Sequence, residues 1–279
     1  MQLAVPDAAA AAEGWTALVG AEHHRDDEVP PLRARRSTYR IGTGFVEFLE
    51  PDGAGTLADV VQAREGHLFC GGVSTPDIGP VVARLRSKGM EPVVYRGQAF
   101  LHPSVAGDDG VPLVLSADDP QPKTGLVDFL YEVTDLRHDA SGWTKRYADL
   151  FGLDDKVFVP ISSDAYGYEG VLTLFDGDRL DRLEVITPTD PDKTMGRFFA
   201  KQGESLYMCF AETGELGEIH RRTIERAAPH TANPQTDADG APSGMFLHPK
   251  AMGGVMLGLS RRTGAWQWSG HPDRVEPLS

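Results

Sequence analysis

The sequence has few cysteines and an excess of acidic over basic residues. Its 279 residues include only two cysteines, Cys70 and Cys209, each within an apolar segment. This favours buried thiols in a reducing compartment over a disulfide. Lysine and arginine number 27 against 41 aspartates and glutamates, which gives a net charge of −14. Because a phosphate backbone is bound by clustered cations, we expect no nucleic-acid partner.

Long hydrophobic runs are also missing. No uncharged apolar stretch reaches the roughly 18 residues that a membrane-spanning helix needs. The opening residues Met1–Asp7 have neither the basic start nor the apolar core of a signal peptide. The sequence therefore predicts a cytoplasmic protein with no membrane partner.

The residues that are present describe a folded, turn-rich protein. Hydrophobic residues make up 41% of the chain and charged residues 24%, with 31 glycines and 20 prolines. This composition is typical of globular proteins. A chain of this length favours two domains, each able to bury a core.

The two halves of the sequence resemble each other. Phe45–Pro51 (FVEFLEP) is echoed by Arg182–Pro188 (RLEVITP), an offset of 137 residues, and each copy has a glutamate four residues before a proline. The tetrapeptide Phe-Leu-His-Pro occurs at Phe100–Pro103 and again at Phe246–Pro249. Two matches in the same order indicate a tandem repeat.

The boundary between the halves falls at Ala117–Gly125, a polar stretch with two prolines. We predict a first domain at 1–116, a linker at 117–125, a second domain at 126–262 and a tail at 263–279.

Hydrophobic periodicity predicts a strand–helix–three-strand unit that occurs four times. The predicted strands are 2–5, 38–41, 44–49, 68–73, 92–95, 99–101, 113–115, 127–133, 156–160, 172–175, 183–186, 205–211, 244–247 and 255–259, and the predicted helices are 7–19, 77–88, 135–151 and 216–227. The charged run His23–Asp27 is interpreted as a loop. The polar stretch His230–Ser243 is interpreted as a flexible insertion.

This pattern resembles the vicinal-oxygen-chelate superfamily of glyoxalases, bleomycin-resistance proteins and extradiol dioxygenases. Val5–Gly20 with Val46–Pro51 looks like the opening module of such proteins. Glu184–Pro188, Gly203–Leu206 and Phe246–Val255 look most like the methylmalonyl-CoA epimerase branch. The resemblance implies an α+β fold of four tandem βαβββ modules, arranged as two glyoxalase-like domains whose mixed sheets curl around a cavity.

The resemblance also implies a metal site, which this sequence matches only in part. Family members hold a divalent metal with four inward side chains, usually His, Glu or Gln, His and Glu. The corresponding positions are a residue before Met1, Glu47, Phe69 and Val114 in the first half, and Asp128, Glu184, Met208 and Gly258 in the second. A one-residue slip in register would turn His67 or Tyr207 inward instead. A divalent metal would have only Asp128 and Glu184 as ligands, an incomplete set, so no cofactor is certain.

The leading functional hypothesis is a lyase or isomerase that moves a proton on a small oxygenated or acyl substrate, as an epimerase does. Glu184 would carry the proton, assisted by Asp128 or Glu47, because two carboxylates in one cavity acquire separated pKa values. The residues expected to contact the small molecule are Phe69, Tyr207, Met208, His248 and Lys250.

Two other functions remain open. A metal-free binding or sequestration protein of the bleomycin-resistance type would use the cavity without chemistry. An extradiol-dioxygenase-like oxidoreductase is disfavoured, because Asp128, Met208 and Gly258 do not supply the two histidines and carboxylate that iron requires. A homodimer is compatible with the sequence.

Overall fold

The chain folds into two eight-stranded mixed sheets, one from each half. The computed structural model describes residues 1–278. The strands of the first sheet are β1 (Gln2–Ala4), β2 (Glu22–Val29), β3 (Ala34–Ile41), β4 (Gly44–Pro51), β5 (His67–Thr75), β6 (Val93–Tyr95), β7 (Gln98–Phe100) and β8 (Leu113–Ala117). Those of the second are β9 (Phe129–Leu136), β10 (Val159–Ser163), β11 (Tyr168–Leu174), β12 (Arg182–Pro188), β13 (Ser205–Thr213), β14 (His230–Ala232), β15 (Gly244–Leu247) and β16 (Met256–Arg261).

The two sheets have the same topology. The first runs β2-β3-β4-β1-β5-β8-β7-β6 and the second β10-β11-β12-β9-β13-β16-β15-β14. In each sheet the two central strands pair antiparallel, and each also has a parallel neighbour on its other side. The prediction of an α+β fold built from four tandem modules is confirmed. The domain boundaries stay a prediction.

Each module contributes one helix between its first and second strands, and shorter connections add others. The helices are α1 (Ala8–Gly14), α2 (Thr56–Arg64), α3 (Ile78–Ser87), α4 (Pro103–Ala106), α5 (Ala140–Phe151), α6 (Thr194–Gln202) and α7 (Leu216–Glu225). A π-helical turn at Trp15–Val19 extends α1 and ends at Gly20, which has a φ of 75°. Glycine adopts this left-handed conformation without a steric penalty.

Two segments differ from the predicted elements. His23–Asp27 lies within β2, the edge strand of the first sheet, where mostly exposed side chains hide the period-two pattern of a buried strand. Asp135 belongs to β9 and not to a helix. The helix α5 begins only after Asp139, whose carboxylate accepts a hydrogen bond from the Gly142 amide at 2.8 Å.

One hydrophobic core lies between the halves. Trp15 and Phe48 from the first half pack in the same buried cluster as Val133 and Cys209 from the second. The Trp15 indole also donates a hydrogen bond to the Met252 carbonyl across the junction at 3.1 Å. Because strand side chains alternate between the two faces of a sheet, the side chains that do not point into this core lie on the opposite face of each sheet.

Both cysteines are free and buried, as predicted. Burial raises the pKa of the Cys209 thiol to about 12 and also raises that of Cys70. Within residues 1–278, no helix combines the length and apolarity needed to cross a membrane.

Candidate active site

A cavity of about 1720 Å³ opens on the face of the second sheet turned away from the shared core. Ligand pockets are usually about 300–1,000 Å³, so this one can hold a large or elongated molecule. Its wall includes Glu132 and Glu184 from the sheet, and rings from several strands and helices. Residues 64–67 of the first half and 267–278 of the tail complete it.

The polar centre of this wall is a pair of glutamates on neighbouring parallel strands. Glu132 lies on β9 and Glu184 on β12, with exposed fractions of 4% and 6%. The hydroxyl of Thr134, directly opposite Glu184 in the register, donates a short hydrogen bond to its carboxylate. Burial, and then the charge of Glu132, raises the pKa of Glu184 to about 8.

The two glutamates differ in their partners. The Arg182 guanidinium donates from Nε to Glu132 Oε2 at 2.6 Å, which stabilises a negative charge on that carboxylate. Arg182 is itself fully buried over the Tyr131 ring, and it donates from Nη1 to Ser269 Oγ at 2.7 Å. Glu132 therefore has a buried cation as its partner, whereas Glu184 has the hydroxyl of Thr134.

Two tyrosines lie close to Glu184. Burial, and then the charge of Glu184, raises the pKa of both Tyr168 and Tyr207 above the ordinary phenol value. Both phenols are therefore protonated near neutral pH. They are available as hydrogen-bond donors to an oxygen atom bound beside the glutamate.

Asp128 does not join Glu184, which corrects the predicted pair. It lies before β9 and outside the cavity wall, where Arg262 Nε donates to it at 2.8 Å and Lys123 Nζ at 2.5 Å. These cations, opposed by partial burial, lower the pKa of Asp128. Strand pairing explains the error. Gln2 opposes Glu47 as Thr134 opposes Glu184, so Glu132 takes the place assigned to Asp128.

Glu47 also lies outside the cavity wall. Side chains of the first sheet fill the space that corresponds to the cavity of the second sheet. Gln2, Arg36 and Gln98 all donate hydrogen bonds to the Glu47 carboxylate, at 2.8, 3.0 and 3.1 Å. Arg36 opposes Leu49 in the first sheet, and the matching residue in the second is Gly170, opposite Ile186. The second sheet therefore has no side chain at the position of Arg36, and a Cβ added at Gly170 would lie 2.8 Å from Ile186 Cα.

Four of the five residues predicted to contact the small molecule line the cavity, and the fifth lies in the first sheet. Tyr207, Met208, His248 and Lys250 all line the cavity. Phe69 does not, and its prediction is corrected. It packs in the apolar cluster of the first sheet and stacks on His102, with ring centroids 4.1 Å apart.

Sequence reasoning missed Glu132 and Arg182. Glu132 lies outside the echoed motifs, and Arg182, the first residue of one copy, corresponds to the apolar Phe45 in the other. The offset between the halves also changes, from 137 residues at β12 to 132 at β9. Strand pairing in the structure identifies Glu132, because it lies two residues before Thr134, which opposes Glu184 as Gln2 opposes Glu47.

One known structure has the same fold over nearly the whole chain. A mutant of 4-hydroxymandelate synthase from Streptomyces coelicolor superimposes over 98% of both chains with a TM-score of 0.71, at 12% identity. Methylmalonyl-CoA epimerase from Mycobacterium tuberculosis matches 50% of this chain and 92% of its own, with a TM-score of 0.42 and 20% identity. No protein-family model and no curated protein sequence matches the chain.

4-Hydroxymandelate synthase has the fold of the vicinal-oxygen-chelate superfamily, and this chain has the same fold.

The residues present do not fit the metal usual for a vicinal-oxygen-chelate site. No group of three His, Cys, Asp or Glu side chains with suitable spacing occurs among residues 1–278. Met208 and Gly258 stand at two of the expected ligand positions. A side chain at Gly258 would overlap the Phe210 ring, with Cβ only 2.7 Å from Cζ. In addition, Glu132 already has a cationic partner in Arg182.

Proposed function

We propose that this protein is a metal-independent proton-transfer enzyme of lyase or isomerase type, acting on a small oxygenated or acyl substrate. One observation carries the proposal: Glu184 lies on the wall of a large cavity beside Glu132, and only Glu132 has a cationic partner. Paired carboxylates with unequal surroundings are a recurring arrangement for acid and base catalysis.

The chemistry follows from this asymmetry. With a pKa of about 8, Glu184 has both its protonated and ionised forms accessible near neutral pH. The ionised form takes a proton from a carbon next to a carbonyl, and the protonated form returns one. The phenols of Tyr168 and Tyr207 donate hydrogen bonds to the enolate oxygen that develops.

A second candidate function is sequestration without chemistry, and the aromatic wall favours it. Tyr168, Phe198, Phe210, Phe246 and Trp268 all line the cavity. Such a surface binds flat apolar molecules whatever the state of the carboxylates.

Deuterium uptake distinguishes the two functions. The protein, treated with a chelator and checked for metal by elemental analysis, is incubated in D₂O with a panel of acyl and 2-oxo compounds, and exchange is followed by NMR. We expect at least one compound to take up deuterium. The Glu184→Gln variant should lose about 10²-fold or more of the rate, the usual contribution of a general acid or base.

Glu169→Gln is the matched control, because Glu169 is an exposed glutamate on the adjacent strand β11. It should exchange at the wild-type rate. Saturable binding of the same compounds with no deuterium uptake would instead support sequestration. Stoichiometric metal that is required for exchange would contradict metal independence.

A further inference from the structure

The mouth of the cavity carries a guanidinium that no carboxylate neutralises. Arg64 ends α2 and is half-buried, and among residues 1–278 no acidic side chain approaches within 4.0 Å of it. Its Nη1 donates to His67 Nε2 and its Nη2 to the Gln202 carbonyl, both at 2.7 Å. Both of these acceptors are uncharged, since burial followed by the nearby Arg64 lowers the pKa of His67 to about 3.

Buried charges are normally paired, and the part of this guanidinium that is removed from water has no carboxylate partner, so it can bind an anionic ligand. Lys250 lines the same cavity and is exposed, with no ion-pair partner in the described chain. Two carboxylates of the first half also line the cavity. Asp7 caps α1 by accepting from the Ala10 amide at 2.9 Å, and Glu65 is exposed.

The chain from Gln202 to Met208 connects the part of the cavity that holds Arg64 to the part that holds the glutamate pair. Gln202, which holds Arg64, precedes Met208, which opposes Thr134 beside the glutamates. Six residues span at most about 20 Å of extended chain. One elongated ligand can therefore reach both places, with an anion at the mouth and an uncharged reacting group at Glu184.

We infer that Arg64, assisted by Lys250, binds a terminal carboxylate or phosphate of an elongated substrate whose apolar body lies against the aromatic wall. The inference deepens the proposed function and rests on it. It names the substrate class as acyl or oxygenated compounds with an anionic end, and it assigns Arg64 to recognition, apart from the proton-transfer step.

Two fluorescent probes with the same aromatic body test the inference. 1-Anilinonaphthalene-8-sulfonate carries an oxyanion, and N-phenyl-1-naphthylamine does not. Wild-type protein should bind the sulfonate about tenfold more tightly than the neutral probe, the difference expected for one charge-assisted contact. Arg64→Gln should remove this preference and leave the affinity for the neutral probe unchanged, while Arg64→Lys should keep part of it.

Arg86→Gln is the control variant, because Arg86 lies in the last turn of α3, as Arg64 does in α2, but does not line the cavity. It should bind both probes as wild type does. Competition by decanoate, decyl phosphate and decanol then distinguishes a carboxylate from a phosphate, with decanol the weakest.

Equal affinities for the two probes in wild-type protein, or an unchanged preference in Arg64→Gln, would overturn the inference and leave deuterium exchange as an independent test of the proposed function. Failure of both probes to bind would overturn it as well. The Glu184→Gln variant should retain the sulfonate preference, so loss of catalysis and loss of anion binding are separable.

Discussion

At the scale of single residues, the site depends on how buried charges are partnered. Arg182 is inaccessible to solvent and its Nη2 has no hydrogen-bond partner within the described chain. It nevertheless holds Glu132 through Nε and the tail through Ser269. Removing water from such a pair is costly, and the pair is tolerated because each charge has the other. The arrangement gives Glu132 a buried cationic partner that Glu184 lacks.

We predict that Arg182→Met destabilises the protein by about 3–5 kcal/mol, because Glu132 is then left buried without a cation. The double variant Arg182→Met, Glu132→Gln should recover a substantial part of this loss. Urea denaturation measures both effects. Arg179→Gln removes an exposed ion pair with Asp181 and should change the free energy of unfolding by no more than about 0.5 kcal/mol. Equal losses in the single and double variants would argue against the pairing.

At the scale of elements, the two sheets differ in which of two paired strands carries the larger side chain. In the second sheet Phe210 on β13 opposes Gly258 on β16, whereas in the first Gly72 on β5 opposes Val114 on β8. The larger residue of the pair therefore lies on β13 in the second sheet and on β8 in the first. The Phe210 ring then packs against Tyr131, Phe246 and Trp268, at centroid distances of 6.0, 5.5 and 6.1 Å. These neighbours restrict its movement.

Gly258→Ala should therefore destabilise the protein by about 1–3 kcal/mol, the usual cost of overpacking. Phe210→Leu in the same chain should relieve the overlap, so the two changes should not be additive. Denaturant midpoints of the two single variants and the double variant complete the cycle. Additive effects would show that the ring does not restrict position 258.

At the scale of the whole molecule, one half of a duplicated fold is filled and the other is open. The first sheet holds an apolar cluster around Phe69 and the hydrogen-bonded group around Glu47. The second has the cavity, which the first half and the tail help to enclose. This cavity thus opens on the second sheet, although residues of both halves line it.

The pH dependence of unfolding reports on the protonation of Glu184. Its folded pKa of about 8 lies above the ordinary value of 4.5. Its contribution to stability is therefore fully present below about pH 4.5 and is lost as the pH rises through about 8. From about pH 5 to 9, the free energy of unfolding of the wild type should fall by more than that of Glu184→Gln. The additional loss is about 1.4 kcal/mol for each unit by which folding raises the pKa of Glu184. Parallel stability curves for the two proteins would show that Glu184 is ionised throughout.

Hydrophobic periodicity was enough to predict four modules, and the motif repeated at Phe45 and Arg182 was enough to predict two similar halves and to place Glu184 on a strand, because local patterns and motif spacing persist in a duplicated chain. Helix starts were less well predicted. Asp135 and Asp139 are equally good helix-capping residue types, and only the pairing of β9 with β12 places Asp135 inside a strand.

The sequence by itself determined the α+β class, the module order and the buried cysteines, since these follow from composition and from patterns within a few residues. Only the tertiary structure decided that Glu132 and not Asp128 faces Glu184, that Arg36 fills the first sheet, and that Arg64 reaches the mouth of a cavity in the other half. Each of these depends on strand register or on contacts between residues far apart in the chain. A one-residue change in register turns a side chain to the other face of the sheet.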